Sequence, residues 1–379
     1  MPGWDRIVCV DWAKGEHNRA AWVAHVGTRT VVPLEVRPRL TELLAYARGV
    51  PGRTVIAIDA ALGVPRHYLA DAQVAVPEWR AAGTFLAWLS LAIPRPGFGE
   101  ACAAAADWRH GRPFIAVPRG TGSLEAFWAW TGGKLLRDID KATRAKSPFI
   151  VSGIPGTVGS GTRALWCELA PLLKDTRDFA VWPFDGAWDD IGRDIALAEI
   201  YPRVCYSLAL SAELPSVLMP LDKGSRDVRD RAVDDLQRMD WVRDDGVTLR
   251  ELDRARASED DFDAMISAAA LLRCVIEGRP VDGGERDDVE GGILGLASVH
   301  VTPPGNPPPR RPPRKNVPSR APTELRCPID SCPKIFKRTR GGWDRHVELL
   351  AIHPWWHPAE RDPVRRKALF RAEFPSWFR

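Results

Sequence analysis

No apolar run in this 379-residue chain is long enough to cross a bilayer. The most apolar stretch, AAGTFLAWLSLAIP (81–94), falls short of the ~20 residues that a span needs. The opening, MPGWDRIVCVDWAKG, lacks the charged-then-apolar pattern of an export signal. We therefore expect a cytoplasmic protein with no membrane partner. Cysteine is scarce and scattered: there are seven, and only Cys327 and Cys332 lie close together. An odd number in mostly apolar surroundings argues against a disulfide framework and predicts reduced thiols. There is no internal repeat. There is also no phosphate loop: GSGTR (159–163) is glycine-rich but lacks the Lys-Ser/Thr of a P-loop, which leaves nucleotide binding of the actin type unsupported.

What is present is a globular composition, with 45% hydrophobic residues, and an uneven charge. The net charge is only +4, but residues 301–379 hold 17 Lys and Arg against 7 Asp and Glu, leaving 36 against 42 in residues 1–300. An acidic body with a basic tail predicts a polyanionic partner for the tail, nucleic acid above all. The division falls at VTPPGNPPPRRPPRKNVPSRAP (301–322), which is too rich in proline for a helix or a central strand. We read four parts: a body over 1–300, a Pro/Arg-rich linker over 301–325, a small module over 326–358 and a basic tail over 359–379.

The body begins with strand patterns at 6–11, 19–26 and 30–36, at hairpin spacing. A helix over 39–48 and a strand over 53–59 follow, and residues 60–177 read as a large insertion. Later come strands at 178–184 and 194–202, then helices at 226–242, 248–256 and 259–277. Strands first and helices afterwards predict an α/β fold with a mixed sheet.

The last helix poses a question. SEDDFDAMISAAALLRC (258–274) puts four acids at the mouth of an apolar run. Ser258 can cap the helix, and acids in a first turn favour its dipole. Asp263 lies a turn further in, on the face of Asp260 and next to apparent core, where a carboxylate is costly unless it is neutralised. Two more acids end apolar strands: Asp11 after IVCV and Asp59 after VIAI. Glu199 lies within IALAEIYP. Strand-end acids point into the crevice where α/β proteins place ligands, and carboxylates that converge there repel unless cations lie between them. Mg²⁺ or Mn²⁺ would suit such a set, and two ions ~4 Å apart would suit phosphodiester hydrolysis.

At this point the chain resembles a known family. In order, VCVDWAKG, VIAIDAALGVP, GSGTRALWCELAPLL, AVWPFDG, AEIYPRV, SEDDFDAMISAAAL and VEGGILG resemble the predicted nucleases called domain of unknown function 429, assigned to the ribonuclease H-like fold. The resemblance covers most of residues 5–297, and the Asp-x-x-Asp helix is similar to that of Holliday-junction resolvases. It implies a five-stranded mixed sheet flanked by helices, and a carboxylate metal site. By match to the motifs, the catalytic set is Asp11, Asp59, Glu199, Asp260 and Asp263, with Asp261 an alternative to Asp260. Asp11, Asp59, Glu199 and Asp263 would hold Mg²⁺ or Mn²⁺. Lys14, Arg66, Arg203 and Lys223 are candidate phosphate contacts.

The terminal module, CPIDSCPKIFKRTRGGWDRHVELLAIHPWWHP (327–358), resembles a C2H2 zinc finger of the ββα type. Cys327 and Cys332 would supply two thiolates, His346 and His353 two imidazoles, and His357 is the alternative fourth ligand. The gap between the histidines is one residue longer than the common pattern allows. Lys334, Lys337, Arg338, Arg340 and Arg345 give this module a basic surface for phosphates or base edges. A single finger would contact only ~3 bp, so general affinity is expected rather than an address. The expected whole is a metal-dependent nuclease whose zinc finger helps to hold DNA or RNA. The alternative is a non-catalytic nucleic-acid-binding or adaptor protein, with the finger free to bind a protein partner.

Overall fold

In the computed structural model the chain divides into two compact units, Met1–Pro304 and Gly305–Arg379. The described residues are 3–35, 38–117, 135–152, 157–173, 177–212, 218–282 and 287–299, with Leu325–Arg326, Ile335–Phe336, Arg365 and Leu369.

The first unit is built on one mixed sheet. Strands β1 (Arg6–Asp11), β2 (Ala20–His25) and β3 (Thr30–Pro33) form an antiparallel meander. After helix α1 (Leu40–Gly49), β4 (Thr54–Ile58) returns parallel to β1. A short pair follows within the insertion, β5 (Ile115–Ala116) with β6 (Ile150–Ser152). Next, β7 (Phe179–Val181) and β8 (Ile195–Glu199) join parallel to β4, and β9 (Thr248–Leu249) joins parallel to β3. The order is β7-β8-β4-β1-β2-β3-β9, seven strands rather than the five expected. The two extra strands are short edge additions.

The insertion carries helices α2 (Arg66–Ala75), α3 (Phe85–Ala92), α4 (Asp138–Thr143) and α5 (Gly159–Leu169). Helix α6 (Pro202–Leu210) follows β8, because Pro202 ends the strand signal early and suits a first helical position. Then come α7 (Arg226–Arg238), α8 (Asp240–Arg243), α9 (Leu252–Ala257) and α10 (Glu259–Ile276). The helix expected over 248–256 is therefore part strand and part helix. Glu251, with φ 54°, sits in the left-handed region between them, and that turn separates the two.

The sheet's two faces bury different cores. On one face Val8, Val10, Ile56, Ile58 and Leu197 meet an aromatic cluster from the insertion: Tyr68, Trp79, Phe85, Trp88, Phe98, Phe114, Phe149 and Trp166. On the other, Cys9, Ala57, Ala180, Ala196 and Ala198 are small, and α10 answers them with Ala264, Ala268, Ala269 and Ala270. Small against small lets the helix lie close to the strands. Every residue of α10 from Phe262 to Cys274 is buried, the polar Asp263, Ser267 and Arg273 included. Cys9, Cys102, Cys205 and Cys274 are buried free thiols, and Cys167 is an exposed one. Among the described residues no helix is long and apolar enough to cross a membrane.

In the second unit, β10 (Leu325–Arg326) pairs antiparallel with β11 (Ile335–Phe336). The pairing sets Arg326 opposite Ile335, at the two ends of the segment that contains Cys327 and Cys332. Those cysteines, His346, His353, His357 and the basic residues Lys334, Lys337, Arg338, Arg340 and Arg345 lie outside the described residues.

Candidate metal centre

The parallel register places the first two acids. Val10 pairs with Ile58, and the Asp59 amide donates to the Val10 carbonyl at 2.9 Å, so Asp11 and Asp59 stand level at the ends of neighbouring strands. Side chains alternate along a strand, so both point to the face that carries Cys9 and Ala57. That is the α10 face, and Asp263 meets them from the helix. Ligand oxygens of Asp11, Asp59 and Asp263 all lie within 4.8 Å of one another. They line a cavity of about 350 Å³, together with Trp12, Thr157, Ser160, Gly161, Tyr201, Arg203, Tyr206 and Lys223. A larger cavity, about 490 Å³, lies near Leu210, Met219, Val228 and Met239 and has no such cluster.

Glu199 does not join them. It pairs with Ile58, so the same alternation turns it to the opposite face. There Arg137 binds it through two nitrogens, at 2.6 and 2.7 Å, and the Leu62 amide donates to it at 2.7 Å. Arg137 also holds Asp140, at 2.8 Å, inside the same buried network. Glu199 is thus a neutralised core acid, contrary to the expectation that it ligates the ion.

The opening of α10 resolves the question of its four acids. The Ser258 hydroxyl accepts from the Asp261 amide at 3.2 Å, so the cap is present. Asp261 accepts from Trp22 Nε1 at 3.0 Å and from Arg254 Nε at 2.9 Å, which makes it structural rather than a substitute ligand. Asp260 is half-buried and outside the triad, although its charge acts on Asp11 and Asp263. Asp263 is 1% exposed and accepts from the Tyr206 hydroxyl and the Lys223 ammonium. Among the described residues no side-chain or backbone donor reaches the carboxylates of Asp11 and Asp59.

Two neighbours fix the walls. Arg19 lies over the Trp12 ring, 3.7 Å from its centre, and donates to Ala13 O at 2.7 Å, which steadies the chain leaving Asp11. Gly161 brings α5 against that chain, since a Cβ there would meet Trp12 O at 2.4 Å. Gly159, the other glycine of GSGTR, makes a different close approach, since a Cβ there would meet Ile150 O at 2.3 Å. Of the four basic residues singled out in the sequence, Lys223 and Arg203 line the cavity. Arg66 pairs with Asp287 at 2.7 Å instead, and Lys14 is exposed and outside the cavity lining. Tyr206, Arg137 and Arg229 carried no sequence signal. Their roles depend on partners far away along the chain.

The electrostatics follow from this crowding. Burial, then the charges of Asp59 and Asp263, hold the Asp11 carboxyl well above the usual carboxylate range. Burial and Asp263 push Asp59 up to about 7. Burial raises Asp263 as well, although Lys223 and Tyr206 pull the other way. Three acids outnumber the two cations that line the cavity, Lys223 and Arg203, and hard divalent cations suit carboxylate oxygens.

The metal-free protein should lose stability as pH rises. An acid whose folded pKa is raised keeps its proton where the unfolded chain has lost it, so folding weakens as pH rises between the two values. For Asp59 that window runs from 3.8 to about 7. Stability should fall by about 2–4 kcal/mol across it, judged from this group's shift. Millimolar Mn²⁺ at pH 8 should restore about 3 kcal/mol at a hundredfold excess over Kd. Thermal unfolding at pH 5 and pH 8, with and without Mn²⁺, is the measurement.

The fold and site define a mixed α/β protein with a buried acidic triad at the ends of two parallel strands. No family model, no curated protein and no solved structure matches the chain.

Proposed function

We propose that this protein is a divalent-metal-dependent nuclease of ribonuclease H-like architecture that hydrolyses phosphodiester bonds in nucleic acid. One observation carries the reading: Asp11, Asp59 and Asp263 converge from three elements, and nothing described donates to the first two. An antiparallel meander followed by parallel strands, with an acid at the end of β1 and of β4, supports the architecture.

The triad would hold Mg²⁺ or Mn²⁺. Such an ion supplies Lewis acidity, lowering the pKa of water and offsetting negative charge on a phosphoryl group. The protein's own residues do the rest. Tyr206 and Lys223 fix the rotamer of Asp263. Arg203 is exposed on the cavity wall, where a cation favours a phosphate. The half-enclosed pocket limits water around the carboxylates, which strengthens their field.

The test is direct. Purified full-length protein with Mn²⁺ is incubated with labelled single- and double-stranded DNA and RNA. Metal-dependent cleavage of at least one substrate is expected. Failure on all of them, with the fold intact, would favour the adaptor reading.

The second unit is proposed to bind zinc through Cys327, Cys332, His346 and His353, and to add salt-sensitive affinity for nucleic acid through its basic residues. Replacing Cys327 and Cys332 by serine should remove about one zinc per chain. It should also weaken nucleic-acid binding at low salt by about tenfold. Elemental analysis and fluorescence anisotropy read the two effects. Retained zinc would exclude the assignment.

A further inference from the structure

We infer that the triad holds one divalent ion, not two, and that Lys223 supplies the second cation of the site. The inference rests on the metal-dependent reading above and narrows it.

Three observations support it. First, among the described residues no fourth acid joins the three. Glu199 faces the other side of the sheet and is bound by Arg137, and Asp260 stands outside the cluster. Second, a cation is already in place. The Lys223 ammonium contacts Asp263, and Asp11 and Asp59 also act on it. Third, this lysine is built in rather than loosely attached. The buried Arg229 donates to Lys223 O at 2.5 Å, to Arg256 O at 3.1 Å and to Ala257 O at 3.3 Å. It ties the loop of Lys223 to the segment just before α10, the helix that carries Asp263.

Charge balance points the same way. At the triad itself three carboxylates are offset by one ammonium and one dication, and Arg203 on the cavity wall adds a further positive charge. A second dication would leave at least two positive charges in excess before any substrate arrived, and among the described residues no further carboxylate joins the triad to receive it. Lys223 therefore sits where a second ion would otherwise be needed, and it remains available to a phosphate oxygen as a fixed positive charge.

The test counts ions instead of turnover. Zinc-loaded full-length protein is titrated with Mn²⁺ at pH 8 by calorimetry, and Mn²⁺ paramagnetic resonance is recorded on the same samples. The Asp11→Asn/Asp263→Asn variant serves as reference. We expect one ion per chain that depends on the acids, with the spectrum of an isolated Mn²⁺. Lys223→Met should bind that ion at least about tenfold tighter, because a like charge is removed a few ångströms away. Lys223→Arg should stay within about threefold of wild type, since the charge is kept.

Two acid-dependent ions with a spin-coupled spectrum would overturn the inference and leave the nuclease reading standing. So would unchanged affinity in Lys223→Met. One isolated ion with no cleavage of any nucleic acid would do the reverse.

Discussion

Replacing Asp11 and Asp263 together by asparagine is expected to lower Mn²⁺-dependent cleavage by about 10³-fold or more, the equivalent of about 4 kcal/mol of transition-state stabilisation. Asparagine keeps the shape of each side chain and removes the charge that would hold the ion. Affinity for nucleic acid without metal should change by less than about threefold, or should rise, because two negative charges leave the pocket. Stability separates this result from trivial unfolding. Asp11 is half-buried, receives no donor among the described residues and is repelled by Asp59 and Asp263. Asp11→Asn alone should therefore raise the melting temperature of the metal-free protein at pH 8 by about 2–4 °C, since ~1 kcal/mol of repulsion is relieved. An inactive variant that is also more stable identifies a site kept for function at the expense of folding. A variant that loses activity and stability together would mean that Asp11 is structural.

Much of this site was legible in the sequence, for local reasons. Asp11 and Asp59 end short apolar runs with strand composition, and parallel neighbours bring such ends together. Asp263 lies one turn into an apolar helix, which capping could not explain, and the cap proved to be Ser258. Glu199 misled because its assignment needed the register of β8 against β4, and one residue of offset decides the face. No local pattern carries that information. Arg137, which neutralises Glu199, lies 62 residues away along the chain. Lys223 was legible only as a candidate phosphate contact; its pairing with Asp263, 40 residues distant, has no local signal. Of the sheet's edge strands, β7 lies within the strand expected at 178–184, whereas β9, with two residues, is too short for alternation to be read.

Arg137→Met should be strongly destabilising. The Arg137 side chain is 2% exposed and is shared between Asp140, at 0%, and Glu199, at 6%. Removing one partner of a buried pair leaves charge with no compensation, which costs about 3–5 kcal/mol. For a unit of this size the melting temperature should drop by about 6–12 °C. Adding Asp140→Asn and Glu199→Gln should recover more than half of the loss, because the stranded charges go with the arginine. Glu199→Gln alone then distinguishes a core acid from a metal ligand. Its amide can still accept from Arg137 and from the Leu62 amide, so Mn²⁺ affinity should stay within about threefold of wild type. A ligand lost from the ion would instead weaken binding by about 10–100-fold, the size of effect that even the partners of metal ligands produce. Glu199 faces the aromatic core of the insertion and the triad faces α10, so Glu199→Gln and Asp263→Asn probe opposite sides of one sheet. Metal affinity that followed Glu199 rather than Asp263 would mean that Glu199, and not Asp263, ligates the ion.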